Sequence, residues 1–132
     1  MTTVLDELLA ANQAFYAAFA ARDIAALDDL WSREHEVAVL HPGWPALFGR
    51  AAVMESWRGI VEGAQPPEIA CGDARAFAQR DAGFVICIEH LGGGSLIATN
   101  VFAREQRAWK LVHHQAGPAA SPTLETDTAS LH

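Results

Sequence analysis

The apolar rhythm of this chain changes lastingly at Pro66-Pro67, and that break constrains the fold more than any other feature. Before it, apart from one short run, apolar residues recur at the three-to-four-residue spacing of amphipathic helices; after it they fall into short segments that suit strands, separated by polar or glycine-rich turns. Helices first and strands afterwards point to an α+β domain in which helices pack on an antiparallel sheet.

In the first half, Leu5, Leu8, Leu9, Asn12, Phe15, Tyr16 and Phe19 share a helical face. Thr2 or Thr3 is available as N-cap, and Asp6 and Glu7 suit the first turn. Asp23 can cap a short second helix whose Ile24, Leu27, Leu30 and Trp31 line up, so the two helices are expected to form a hairpin. Glu36 to His41 is the first strand, ended by His41-Pro42-Gly43-Trp44-Pro45, where the prolines remove backbone donors. A third helix follows Gly49-Arg50, with Val53, Trp57, Ile60 and Val61 on one side, and stops at Gly63.

The second half predicts strands over 68–78, 83–91, 95–104 and 109–116, in an antiparallel meander. Gly92-Gly93-Gly94 lacks the Lys-Ser/Thr and following helix of a phosphate loop, so it is expected to be a hairpin turn supplying positive φ. With 132 residues and 51% apolar content the chain suits one core, placed over residues 1–118. The small, polar, acidic stretch 119–132 is expected to be a flexible tail or to pack on a partner.

Charge and motifs narrow the function classes. A net charge of −7 with no basic cluster disfavours nucleic acid. The apolar runs are too short to span a bilayer, and the start lacks the basic flank of a secretory signal, so a cytoplasmic protein is expected. Cys71 and Cys87 lie in apolar surroundings, which suits reduced, buried thiols.

Helix, short helix, strand ending in His41-Pro42-Gly43, helix from Gly49-Arg50 with Trp57 inside it, and a closing Trp109-Lys110-Leu111-Val112-His113-His114 resemble the SnoaL-like branch of the NTF2-like superfamily, over residues 3–118. The resemblance implies a cone-shaped barrel with three N-terminal helices on a mainly antiparallel sheet, usually dimeric. That superfamily holds ketosteroid isomerases, polyketide cyclases, dehydratases and epoxide hydrolases beside non-enzymatic association domains, so function has to be argued from the site. In its ketosteroid isomerases a helix-one tyrosine and a protonated aspartate polarise the carbonyl, and an Asp before proline at the end of the first strand moves the proton. Tyr16 lies at the similar point of helix one here, His41 stands in place of that base, and Thr99 and Asn100 occupy the region of the second acid.

The candidate site follows. His41 is either a general base near neutral pH or a structural contact of its loop, and Tyr16 either polarises a carbonyl or packs. Trp31, Trp44 and Trp57 can line an apolar cavity, although Trp31 and Trp57 also suit plain core packing. On the last strand, Trp109, Leu111, His113 and Gln115 share a face, assigned to the interior; Val112 and His114 then face outward, on a surface suited to a homodimer. Asn100 is expected to bind ligand as a hydrogen-bond donor, and His113 and Gln115 are expected either to bind ligand or to be core polar groups satisfied by neighbours. Glu89 is expected to be solvated or at an interface, since unpaired charges are rarely buried; pointing inward, it would be a possible acid or base with its pKa raised by burial. A metal site of His41, Glu89 and His113 can be drawn, but no ligand spacing requires it. The expectation is a pocket for a small apolar carbonyl compound, with proton transfer needing no metal or cofactor; the alternative is a non-catalytic ligand-binding or dimerisation domain.

Overall fold

The computed structural model describes residues 2–119. Helices α1 (Val4–Ala20), α2 (Ile24–Leu30) and α3 (Arg50–Val61) pack on a six-stranded, unclosed, curved sheet. Its strands are β1 (Ala38–Leu40), β2 (Leu47–Phe48), β3 (Ala70–Ala78), β4 (Ala82–Leu91), β5 (Gly94–Glu105) and β6 (Ala108–Pro118), in the order β2-β1-β6-β5-β4-β3. The stretch expected to be a tail lies, from residue 120 on, outside the described residues. Among those described, no helix is long and apolar enough to cross a membrane.

Local chemistry sets the helix ends. Thr3 Oγ1 accepts from the Asp6 amide and the Asp6 carboxylate accepts from the Thr3 amide, a reciprocal cap that holds two otherwise unpaired N–H groups. Asp23 caps α2 through the Ala26 amide, and the intervening Arg22 takes a left-handed φ of 56° that folds α2 back on α1. Gly49, with φ of 89°, turns the chain from β2 into α3. The seat of α1 depends on Gly83 in β4: a Cβ there would sit 2.6 Å from Leu8 Cδ1 and 2.9 Å from the Phe77 carbonyl oxygen.

The meander β3-β4-β5-β6 is antiparallel throughout, whereas β1 adds to β6 in parallel, with Val39 opposite His114. The first strand is shorter than its sequence pattern, and the two-residue β2, too short to leave a periodic signal, was not anticipated. The β4-β5 turn is a two-residue Gly92-Gly93 link, but the glycines with left-handed φ are Gly43 and Gly49, so the triple glycine does not use the freedom ascribed to it.

One irregularity changes what faces inward. Val101 pairs with His113 and the next residue, Phe102, with Leu111, so Val112 is an extra residue in β6. A bulge of this kind reverses the alternation beyond it. Trp109 and Leu111 are buried as expected, but past Val112 the buried residues are His114 and Ala116, while His113 is half-buried and Gln115 exposed. The inward assignment of His113 and Gln115, and the outward one of His114, are therefore corrected. On β4 the covered face carries Val85, Cys87 and Glu89, which corrects the solvated reading of Glu89. Cys87 is buried as expected, and Cys71 only half so.

Candidate functional site

Between α1, α3 and the inner face of the sheet lies an open cavity of about 490 Å³. Phe15 and Phe19 come from α1, Trp57 and Ile60 from α3, and Leu96 from β5; they make its walls apolar. Trp44 stands at the mouth, 46% exposed, on the loop held by Pro42 and Pro45. Four groups with chemistry reach the cavity: Tyr16 from α1, His41 from the end of β1, Glu89 from β4 and His114 from β6.

The other expected residues sit elsewhere. Asn100 has no exposed surface and lies one layer behind the cavity, between Tyr16 and His114. Trp31 is also fully buried, behind Trp57 at 6.2 Å between ring centroids, and its indole N–H has no partner among the described residues. His113 donates from Nδ1 to the Ala38 carbonyl (3.0 Å) on the other side of the bulge, so His41, Glu89 and His113 do not converge.

Counting donors fixes where the protons lie. The Ser56 hydroxyl donates to the Val53 carbonyl (2.7 Å), so it accepts from His41 Nε2–H (2.9 Å), and the lone pair of His41 is on Nδ1. The Tyr16 hydroxyl accepts from Asn100 Nδ2 (3.1 Å) and from the Cys87 thiol (3.3 Å), and its own proton goes to Glu89 Oε2 (2.7 Å). That phenol is committed to the carboxyl group of Glu89. His114 Nδ1 donates to Asn100 Oδ1 (2.5 Å), which leaves Nε2 as the acceptor, 3.8 Å from Glu89 Oε2.

Burial sets the protonation states. Desolvation lowers His41 to about 4. It lowers His114 to about 3, with smaller contributions from the positive charges that His41 and His113 would carry. Burial pushes Glu89 up, against the pull of the Tyr16 hydrogen bond. At neutral pH the cavity therefore presents two uncharged imidazoles and a carboxyl group biased toward its neutral form. Burial also raises the Tyr16 phenol, with the Glu89 charge second, so it stays protonated.

A family model described as a SnoaL-like domain matches residues 8–121. The chain belongs to this SnoaL-like family. Among solved structures, a proposed dehydratase of the NTF2-like family from Streptomyces avermitilis superposes with a TM-score of 0.79 and 32% identity, over 89% of this chain and 96% of that one. A proposed calcium/calmodulin-dependent protein kinase type II association domain from Thiobacillus denitrificans gives 0.74 and 35%, over 84% and 94%. The F-box protein SKIP8 of Arabidopsis thaliana is 24% identical over 111 residues, 83% of this chain. The chain spans about half the length, 48%, of that curated relative.

Sequence reasoning missed His114 as a member of this site and favoured the solvated reading of Glu89. The alternation of β4 groups Glu89 with Val85 and Cys87 without choosing the covered face, and for His114 there was no signal, because the bulge at Val112 is visible only in the pairing with β5.

Proposed function

We propose that this SnoaL-like protein moves a proton on a small, apolar, uncharged carbonyl compound, in an isomerisation, cyclisation or dehydration. The reading is supported above all by the opposite pKa shifts of His41 and Glu89 in one apolar cavity: burial keeps the base neutral and biases the acid toward its neutral form. His41 Nδ1 would take the proton from carbon. Glu89, held by Tyr16, would donate a hydrogen bond to the oxygen as negative charge develops, and His114 Nε2 would exchange a proton with Glu89. Trp44 and Trp57 would contact the apolar body of the compound.

Deuterium uptake from D2O into a panel of cyclic ketones and β-hydroxy ketones, followed by NMR, tests this without knowing the natural substrate. Uptake is expected to fall by about 10²-fold or more in His41→Ala. Unchanged uptake in that variant removes the base role. Binding that survives loss of both His41 and Tyr16, with no uptake by the native protein, gives the alternative of a non-catalytic ligand-binding domain. That alternative draws support from the likeness to an association domain. A homodimer through the outer sheet face, where Ile86, Ile97, Val101 and Val112 stand half-buried, belongs to either reading; a monomeric mass in light scattering would sink it.

A further inference from the structure

Behind the cavity runs a polar chain that the proposed reaction does not by itself require: Cys71 and Cys87, Asn12, Asn100, and then His114. Asn12 is 1% exposed and Asn100 0%, both inside an otherwise apolar core, where polar groups persist only if their hydrogen bonds are met. The chain is directional. The Cys87 thiol proton goes to the Tyr16 hydroxyl (3.3 Å), so toward Asn12 its sulfur can only accept. Asn12 Nδ2 faces that sulfur at 4.0 Å and the Cys71 sulfur at 3.5 Å. The other end of that amide, Oδ1, must therefore accept, which it does from Asn100 Nδ2 (2.8 Å). Asn100 then has only its own Oδ1 left for His114 (2.5 Å), and an amide oxygen requires a proton on His114 Nδ1.

We infer that Asn12 is a positioning residue: held by the Cys71–Cys87 pair, it fixes Asn100, and through Asn100 it sets His114 in the Nδ1–H tautomer that turns the Nε2 lone pair toward Glu89. Its value for proton transfer rests on the function proposed above; the tautomer itself does not. The opposite amide orientation would put Asn12 Oδ1 against the Cys87 sulfur, which has no proton to give, and Asn12 Nδ2 against the Asn100 Nδ2 that donates to Tyr16. Ser56 does for His41 what Asn100 does for His114, but with a hydroxyl oxygen as acceptor, so the two imidazoles are held in opposite tautomers.

The test is nitrogen-15 NMR of the full chain with labelled histidine at pH 7, assigned with His114→Gln. His114 is expected to show a proton on Nδ1 and a bare Nε2; the reverse pattern overturns the inference. Asn12→Leu keeps the helix face apolar and is expected to give two exchanging His114 tautomers, while Asn12→Asp, which keeps an acceptor for Asn100, restores one. A single Nδ1–H tautomer in Asn12→Leu overturns the role of Asn12. If Asn12→Leu does not fold, Cys71→Ala with Cys87→Ala removes the sulfur partners without touching α1, and an unchanged His114 spectrum in that variant overturns the inference equally. Asn100→Asp places a carboxyl group on His114 Nδ1, and the His114 titration is then expected to move up from about 3, among the same neighbours Glu89, Tyr16, His41 and His113; an unmoved titration counts against the chain. Because these spectra need no substrate, a fixed tautomer without deuterium uptake would refute the proposed reaction alone.

Discussion

Two buried carboxylates in this protein have nearly the same partners and opposite behaviour. Glu89 accepts from the Tyr16 hydroxyl and faces His114; Glu105 accepts from the Ser32 hydroxyl and pairs with His35 Nδ1 at 2.7 Å. Both are nearly inaccessible, at 3% and 6% exposure. Yet burial raises Glu89, whereas at Glu105 the burial penalty is overcome by the Ser32 and His35 hydrogen bonds and by the charges beside it, and the carboxyl group is held down.

The difference lies in the surroundings. The side chain of His35 is 49% exposed and Lys110 adds a positive charge, while His114 is sealed and kept neutral. Glu105 serves as a clamp: it ties the turn after α2, where Ser32 also accepts from the Glu34 and His35 amides, to the end of β5. Glu89 has no such charge beside it, and burial biases it toward its neutral form. The residues hydrogen-bonded to a carboxylate do not by themselves decide its role; the hydration and charge around them do.

The largest effect expected from this contrast is an acid limb set by the cavity. Folded His41 and His114 bind protons only near pH 4 and 3, while the unfolded chain takes them up near 6.5. Their stabilisation is thus complete above 6.5 and is lost as pH falls, with about 3 kcal/mol at stake for His41 alone. Urea denaturation at pH 7, 5.5 and 4.5 should show the loss, and His41→Gln should remove its share. Glu105, with its folded value depressed, adds its own loss only below its ordinary value of 4.5.

Next in size, Glu105→Ala leaves the Ser32 hydroxyl and the His35 ring without their acceptor and is expected to cost about 2 kcal/mol at pH 7. A cost below that of a surface ion pair would erase the distinction between clamp and site. Glu89→Gln keeps an acceptor for Tyr16 and should change stability by about 1 kcal/mol or less at pH 5. It should also steepen the acid limb. Folded Glu89 keeps its proton above 4.5 while the unfolded chain loses it, so native stability falls as pH rises there, opposing the histidines. A limb unchanged in slope would show that Glu89 ionises as in water. The smallest effect belongs to His35→Gln, where a half-exposed partner is replaced by another donor: about 0.5 kcal/mol, read from the same urea curves.

Much of the scaffold was legible because it is local. The helix face from Leu8 through Asn12 to Phe19, the Thr3 and Asp23 caps, and the stop before Pro66-Pro67 follow from the geometry of a few consecutive residues, and α1, α2 and α3 form where those signals lie. His41 was legible as a strand end fixed by prolines. The site was less so. The alternation of β4 separates Val85, Cys87 and Glu89 from Phe84, Ile86 and Ile88, but both sets are apolar enough to be covered, and nothing local chooses between them.

By itself, then, the sequence determined the order and type of the elements, since backbone periodicity and capping act within a turn or two of chain. Only the tertiary structure decided which polar groups face the cavity. The register of β6 against β5 places the bulge at Val112 and turns His114 inward, and α1, seated on Gly83, brings Asn12 and Tyr16 to Asn100 and Glu89. A carboxylate or imidazole in an apolar strand can go inside only where another element supplies its hydrogen bonds, and those partners lie 14 to 88 residues away in the chain.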